Sequence, residues 1–113
     1  MINAIDYNKA QEAETPHGVS VKKLLDSEHA QVIEINLKPG EGLKKHITPV
    51  DVFFYILEGT GFVEIGDERA EVSRDMLVES PKGIPHRLAN ESDADFRFLV
   101  VKTPKPTTAT CLL

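Results

Sequence analysis

The chain has 113 residues, of which 41% are hydrophobic and 27% are charged, and this length and balance predict one globular domain. Its formal net charge of −5 argues against unaided binding to nucleic acid or to an anionic membrane, because both attract basic surfaces. No stretch approaches the roughly 20 apolar residues that a membrane-spanning helix needs.

The ends of the chain predict its compartment. The first residues carry no basic region and no long apolar run, so a signal peptide is not expected. The single cysteine, Cys111, has no partner for an internal disulfide. Both features favour a reducing compartment, and we expect a cytoplasmic protein.

The first part of the chain predicts two strands. Residues 1–16 show no sustained hydrophobic period, although a short edge strand is expected near residues 4–7. Residues 19–25 and 31–37 then alternate between apolar and polar side chains, as half-buried strands do. A turn follows at residues 38–40, because proline presets φ and glycine allows positive φ.

Two later segments are apolar on both faces. Residues 52–57 do not alternate, unlike an antiparallel strand with one face in water. Residues 99–101, near the end of a strand predicted at residues 96–102, repeat this pattern. Because so short a chain has no convincing helix to cover a second face, we expect a second subunit to do so, and a homodimer is predicted.

The remaining elements are short strands joined by turns. A hairpin is expected around Gly66, and two prolines and a glycine make residues 81–85 a rigid loop that disfavours strand pairing. The tail, residues 103–113, is expected to be extended or to form an edge strand. Strands in this part are predicted at residues 61–65, 69–72, 76–79 and 86–90.

Two spaced motifs point to a known family. The chain resembles the cupins, whose motifs read G-x5-H-x-H-x3-4-E-x6-G and G-x5-P-x-G-x2-H-x3-N. The first motif is matched by Gly40, His46 and Gly59, and the second by Pro81, Gly83, His86 and Asn90. Asp75 stands where the second motif begins with glycine. Thr48 and Val52 replace the second histidine and the glutamate of the first motif.

The resemblance implies a fold and a cofactor. It implies an all-β jelly-roll (cupin) β-barrel in one domain over residues 1–113, with a barrel core of about residues 18–102 and extended termini. In the family both motif histidines point into the barrel and bind a divalent metal, so His46 and His86 are the predicted ligands of one transition-metal ion. Small cupins are commonly dimers, which agrees with the predicted homodimer.

Two histidines alone hold a metal weakly, so a third ligand is needed. Asp51 is one residue before the family's glutamate position, and strand parity points it away from the barrel unless a bulge turns it inward. Glu34 shares a strand face with Asn36, and that face is a candidate for the inner one. His17, just before a glycine, is a candidate to fold over the mouth of the barrel.

The leading hypothesis is therefore a small metal-binding cupin with a small-molecule substrate. Its metal would act as Lewis acid and template for dioxygenase, isomerase or decarboxylase chemistry. The alternative is a metal-free cupin that serves as a small-molecule-binding or sensor module. A third possibility is a metal-free acid–base enzyme that uses a His46–Asp51 pair. The sequence leaves open whether the chain is an enzyme, and it does not name the substrate or the metal.

Overall fold

The computed structural model describes residues 1–13 and 15–113. Glu14, part of the segment expected to lack a regular period, lies outside the described residues. A 3₁₀ helix at Tyr7–Lys9 precedes the barrel. The strands are β1 (Glu12–Ala13), β2 (Ser20–Asp26), β3 (Gln31–Leu37), β4 (His46–Ile47), β5 (Asp51–Glu58), β6 (Thr60–Ile65), β7 (Glu68–Ser73), β8 (Leu77–Ser80), β9 (His86–Ala89), β10 (Phe96–Thr103) and β11 (Cys111–Leu112).

These strands form two antiparallel sheets that face each other. One sheet has the order β1-β2-β3-β10-β5-β8, and the other has the order β11-β4-β9-β6-β7. The predicted all-β jelly-roll barrel is thereby confirmed. In the described part of the chain, no helix has the length and apolar character needed to cross a membrane.

The core lies between the two sheets because buried and outward side chains alternate along each strand. In β10, Phe98 pairs with Ile56 of β5 and Val100 pairs with Phe54. All four side chains are at most 5% exposed. The second sheet supplies Leu88, which is fully buried. Burying each such side chain contributes roughly 1.5–3 kcal/mol, so the sheets are held together mainly by this apolar layer.

The opposite face of the first sheet is also apolar. Between the buried positions, β5 and β10 carry half-buried side chains that face away from the core: Phe53, Tyr55, Leu57, Leu99 and Val101. This is the two-sided apolar pattern that the sequence shows. We call these five residues the outer apolar face.

Two backbone conformations confirm how the motifs align. Gly59 has a φ of 83°, and a Cβ there would collide with the carbonyl oxygen of Asp95, so only glycine fits. Asp75, which replaces the first glycine of the second motif, has a φ of 68°. Aspartate tolerates this left-handed region better than most residues. The motif's turn is therefore kept although its glycine is missing.

The prediction of an edge strand near residues 4–7 is wrong, because these residues form no strand. The Asp6 side chain accepts a hydrogen bond of 2.9 Å from the N–H of Asn8 and caps the short helix instead. The ring of Tyr7 then lies under two cations, with the Lys22 Nζ 4.3 Å and the Arg97 Cζ 4.6 Å from its centroid. Tertiary contacts of Tyr7 thus outweigh the strand tendency of this segment.

The tail forms an edge strand, as predicted. β11 pairs with β4, and its register places Leu112 opposite His46 and Cys111 opposite Ile47. The N–H of Leu113 also donates to the carbonyl oxygen of Lys45 over 3.0 Å. The C-terminus therefore lies beside the strand that carries the first motif's histidine.

Candidate functional site

Three histidines meet inside one end of the barrel. β4 and β9 pair so that His46 lies directly opposite His86, and their ring centroids are 4.5 Å apart. His17, from the segment that joins β1 to β2, folds over this pair, with its ring centroid 4.8 Å from that of His46. His46 is 7% exposed and His86 is 2% exposed. The structure thus brings together both predicted ligands and one of the three candidate third ligands.

Two hydroxyl groups occupy both ring nitrogens of His86. The Ser80 Oγ lies 2.6 Å from Nδ1, and the Thr48 Oγ1 lies 3.1 Å from Nε2. A neutral imidazole donates from one nitrogen and accepts at the other, and each hydroxyl can do either. Thr48, at the position of the family's second histidine, therefore holds His86 in place through a hydrogen bond.

The backbone of Lys44 fixes the protonation of the other two rings. Its carbonyl oxygen lies 2.7 Å from the Nδ1 of His46, so this nitrogen must carry the proton and donate. The Lys44 N–H donates to the Nδ1 of His17 over 2.8 Å, so the neutral ring of His17 carries its proton on Nε2. Nε2 of His46 is left with a lone pair, and among the described residues it has no hydrogen-bond partner.

All three histidines are neutral near pH 7. Burial, followed by the charge of His46, lowers the pKa of His86 to about 4. Burial and then the charge of His46 likewise lower the pKa of His17 to about 4. The pKa of His46 is also lowered by burial, against the opposing effect of its hydrogen bond to Lys44. Neutral rings can accept protons, and the cluster adds no positive charge of its own.

A cavity of about 190 Å³ opens beside this cluster. Its polar lining includes His17, His46 and Lys102, and apolar side chains of both sheets form the rest of its wall. The wall side chains include Val21, Ile33, Ile35, Leu43, Phe54 and Val100. A polar end and an apolar body are the usual features of a small-molecule site.

The two carboxylates considered as third ligands lie elsewhere. Glu34 is fully buried, but its neighbours in β3, Ile33 and Ile35, line the cavity. Because side chains alternate along a strand, Glu34 points to the outer side of the sheet. There its carboxylate pairs with Arg97 at 2.8 Å. Asp51 is exposed, and its Oδ1 accepts the N–H of Lys82 over 2.9 Å. The outward direction that parity predicts for Asp51 is confirmed, which also removes the proposed His46–Asp51 pair.

The sequence did not identify two residues of this site. Ser80 is 1% exposed and holds His86, and Lys102 lines the cavity. Both are in phase with inward-facing apolar residues of their strands, Ser80 with Val78 and Lys102 with Val100. Both residues could have been predicted from the sequence, because each is a polar residue at an inward position of its strand.

The family is decided by a sequence comparison. The family profile described as "Cupin domain" matches residues 33–102, which is more than half of the chain. The chain belongs to the cupin family. Residues 33–102 include His46, His86, all of β5 and most of β3 and β10.

The relatives of this cupin include a polyketide synthase protein and an uncharacterised protein. It is 30% identical to the tetracenomycin polyketide synthase protein TcmJ of Streptomyces glaucescens over an alignment of 71 residues. That alignment covers 62% of this chain and 48% of TcmJ. The chain thus spans about half the length of that relative. It is 29% identical over 87 residues to an uncharacterised protein of Methanocaldococcus jannaschii, covering 76% of this chain and 75% of that protein.

Solved structures share the fold. The polyketide cyclase RemF from Streptomyces resistomycificus superposes with a TM-score of 0.85 at 20% identity, over 100% of this cupin and 86% of that chain. A cupin with a double-stranded β-helix fold from Methanocaldococcus jannaschii superposes with a TM-score of 0.75 at 25% identity, over 92% of this chain and 93% of the other.

The donor set at the histidine cluster does not fit a divalent transition metal. Coordination needs an unshared nitrogen lone pair from each imidazole, but His86 shares both nitrogens with hydroxyls and His17 accepts a backbone N–H. Of the three rings, only His46 has a lone pair that no described residue uses in a hydrogen bond. Across residues 1–13 and 15–113, no three side chains of His, Cys, Asp or Glu form a group that could hold a metal ion. Metal binding by His46 and His86 stays a prediction that elemental analysis decides.

Proposed function

We propose that this cupin binds a small organic molecule in the barrel cavity and acts on it as a metal-independent acid–base catalyst, with Nε2 of His46 as the proton acceptor. The observation that carries this proposal is the hydrogen bond of 2.7 Å from Nδ1 of His46 to the Lys44 carbonyl. It leaves the lone pair on Nε2 of a residue that lines the cavity. An oriented, neutral imidazole of this kind is a common general base.

The surroundings of His46 favour the removal of a proton. Burial lowers the pKa of His46, so the ring is available as a base at neutral pH. A substrate that loses a proton gains negative charge, and Lys102 in the same cavity wall would stabilise that charge. The matching substrate is a small molecule with an acidic C–H or O–H group.

The comparisons support the class of ligand but not its identity. TcmJ is named as a polyketide synthase protein, which agrees with small-molecule chemistry in a cupin barrel. The cavity has a volume of about 190 Å³. A compact ligand fits such a volume better than a long polyketide chain does.

Hydrogen–deuterium exchange tests the proposal directly. Cyclohexanone and related small ketones would be incubated with the protein in D₂O, and the loss of α-proton signals followed by ¹H NMR. We expect exchange that survives EDTA and falls at least tenfold in His46→Gln. His29→Gln is the matched control, because His29 is exposed and pairs with the neighbouring Glu28 at 3.2 Å.

The other outcomes separate the remaining hypotheses. Exchange that EDTA abolishes and added metal restores would contradict the metal-independent proposal and favour the predicted metal site. Ketones that bind at the cavity without any exchange would instead favour the small-molecule-binding or sensor module. Exchange that is unchanged in His46→Gln would remove His46 as the base.

Two further proposals concern the setting of this activity. The outer apolar face supports a homodimer, because its five side chains are still partly exposed in a single chain. The single thiol of Cys111 is unpaired and exposed, which supports the cytoplasm as the location, because a free thiol persists in a reducing compartment.

A further inference from the structure

Polar side chains replace apolar ones at one end of the barrel's inner face. Along β10 the inward positions are Phe96, Phe98, Val100 and then Lys102. Lys102 pairs with Gln31 of β3, which precedes the inward Ile33 and Ile35 on that strand. Lys23 follows the buried Val21 in the same way on β2. Lys23, Gln31 and Lys102 all line the cavity, so strand parity places three polar groups around its mouth.

Lys102 carries a positive charge that no carboxylate of the described residues balances. It is half-buried, and burial followed by the charge of Lys23 lowers its pKa. Lys23 itself pairs with Asp26 at 3.6 Å, and Asp26 also pairs with Lys105 at 2.7 Å. Within residues 1–13 and 15–113, no carboxylate forms an ion pair with Lys102. A half-buried charge without a counter-ion is destabilising, and an anionic ligand would relieve that cost.

A second donor lies in the same cavity wall. His17 lines the cavity, and the backbone N–H of Lys44 that occupies its Nδ1 leaves the ring's proton on Nε2. That N–H is a hydrogen-bond donor and carries no charge. Lys102 and His17 together therefore offer donors, and no charged acceptor among the described residues lines the cavity. This combination suits an anion.

We propose that the mouth of this cavity binds the carboxylate of a compact organic acid, with Lys102 as its counter-ion and the acid's apolar body resting against Ile33, Ile35 and Phe54. The proposal rests on the barrel cavity being the ligand site of the proposed function, and it names the class of ligand. It places the carboxylate at the lysine end and the body of the acid toward Nε2 of His46.

The apolar walls favour an organic acid over an inorganic anion. Inward side chains of β2, β3, β5 and β10 line most of the cavity, and an inorganic phosphate would leave that surface in contact with water. A carboxylate with a small ring or branched chain covers it, and this burial favours binding. The volume of about 190 Å³ suits an acid of the size of benzoate or isovalerate.

The test compares charged and neutral ligands of the same shape. Benzoate and benzamide would be titrated into the ¹⁵N-labelled protein, with chemical-shift changes giving both the affinity and the site. We expect benzoate to shift resonances of residues that line the cavity and to bind at least about tenfold more tightly than benzamide, as a charge-assisted hydrogen bond predicts. Lys102→Met should abolish this preference, and Lys102→Arg should keep most of it.

Lys82→Met is the matched control. Lys82 is exposed and does not line the cavity, so its loss removes one positive charge without touching the site. A similar loss of benzoate affinity in Lys82→Met and Lys102→Met would reduce the effect to net charge and overturn the proposal. Amide spectra of each variant would establish that the barrel is folded.

Three further results would overturn the anion site. Equal affinity for benzoate and benzamide would remove the role of the charge, and inorganic phosphate binding as tightly as benzoate would remove the role of the apolar walls. Binding of neither aromatic ligand at the cavity would also overturn it. The ketone exchange assay of the proposed function uses probes without a carboxylate and is scored in His46→Gln rather than in a Lys102 variant, so failure of the base can be told apart from failure of the anion site.

Discussion

His46 and His86 face each other across β4 and β9 with ring centroids 4.5 Å apart, yet their ring nitrogens are used in opposite ways. His86 is held at both nitrogens by Ser80 and Thr48, whereas His46 has a hydrogen-bond partner among the described residues at Nδ1 only. One histidine is therefore fixed as a structural part of the barrel wall. The other presents a lone pair beside the cavity.

The first prediction concerns metal. Because His86 has no unshared lone pair, we expect purified protein reconstituted with Zn²⁺, Ni²⁺ or Fe²⁺ and then desalted to retain well below one equivalent by elemental analysis. His46→Ala and His86→Ala should retain no less than the wild type. One full equivalent in the wild type, lost in both variants, would establish the metal site predicted from the motifs.

The second prediction concerns the hydroxyl groups around His86. Ser80→Ala removes the partner of a nitrogen in a ring that is only 2% exposed, and an unsatisfied buried group costs about 1–3 kcal/mol. We expect the free energy of unfolding, measured by urea denaturation at pH 7.5, to fall by that amount. Ser73→Ala, on the exposed surface of β7, should change it by less than about 0.5 kcal/mol. Equal effects of the two substitutions would contradict the role of Ser80.

Fixed spacing made most of the fold predictable. The sequence spacing from Gly40 to His46 and from His86 to Asn90 identified both motifs, and alternation placed β3 and β10 almost to the residue. The two-residue strand β4 was not predicted, because so short a segment shows no period. The Asn90 side chain donates to the Leu37 and Ala94 carbonyls, which gives that motif position its structural role.

The site itself was less predictable, because hydrogen bonds depend on contacts across the sheets. Ser80 and His86 are close in sequence, but nothing in the pattern shows that a hydroxyl occupies Nδ1. The role of the Lys44 backbone depends on where His17 folds, which no period encodes. The face on which Glu34 lies was left open, and the pairing of Glu34 with Arg97 on the outer side of the sheet settled it.

The third prediction is a loss of stability in mild acid. The pKa of His86 is lowered from 6.5 to about 4 by burial. His86 is therefore protonated in the unfolded chain below about pH 6.5, but in the folded protein only below about pH 4. The free energy of unfolding should therefore fall as pH decreases across that window and level off below it. At ~1.36 kcal/mol per pH unit, His86 would account for up to about 3 kcal/mol.

Variants separate His86 from the other histidines. In His86→Gln, urea denaturation at pH 7.5 and pH 5 should give more similar free energies of unfolding than in the wild type, although the variant is less stable at both. His29→Gln, at an exposed position, should keep the wild-type difference. A His86→Gln protein with the same pH dependence as the wild type would contradict the assignment.

The fourth prediction is a dimer formed through the outer apolar face. Its five side chains are half-buried in a single chain, and a two-fold contact would remove the rest of their surface from water. Sedimentation at micromolar concentration should give about twice the chain mass of 12.5 kDa. Val101→Lys should shift the protein toward the monomer, whereas Ile84→Lys, at an exposed apolar position in the loop before β9 of the other sheet, should not. A monomeric wild type would refute the prediction.

The fifth prediction concerns the ion pair between the buried Glu34 and Arg97, which lies against the Tyr7 ring. Glu34 is 0% exposed, and its Oε2 lies 2.8 Å from the Nε of Arg97, while Arg97 also reaches Glu58 at 3.1 Å. Among the described residues, Oε1 of Glu34 has no hydrogen-bond partner. Arg97 is therefore the main compensation for a buried carboxylate, and Arg97→Leu should lower the free energy of unfolding by about 3–5 kcal/mol.

A double substitution separates the lost ion pair from lost packing. In Glu34→Leu with Arg97→Leu the exposed Glu58 loses its partner, but no buried charge is left unpaired. We therefore expect this protein to be more stable than Arg97→Leu alone, since apolar replacements of buried pairs are often tolerated. Arg74→Leu is the control, because Arg74 is 75% exposed and lies 3.9 Å from Asp75, and exposed pairs contribute about 0–1 kcal/mol. If the double variant is as unstable as Arg97→Leu, the loss of stability comes from lost packing against Tyr7 rather than from the unpaired charge of Glu34.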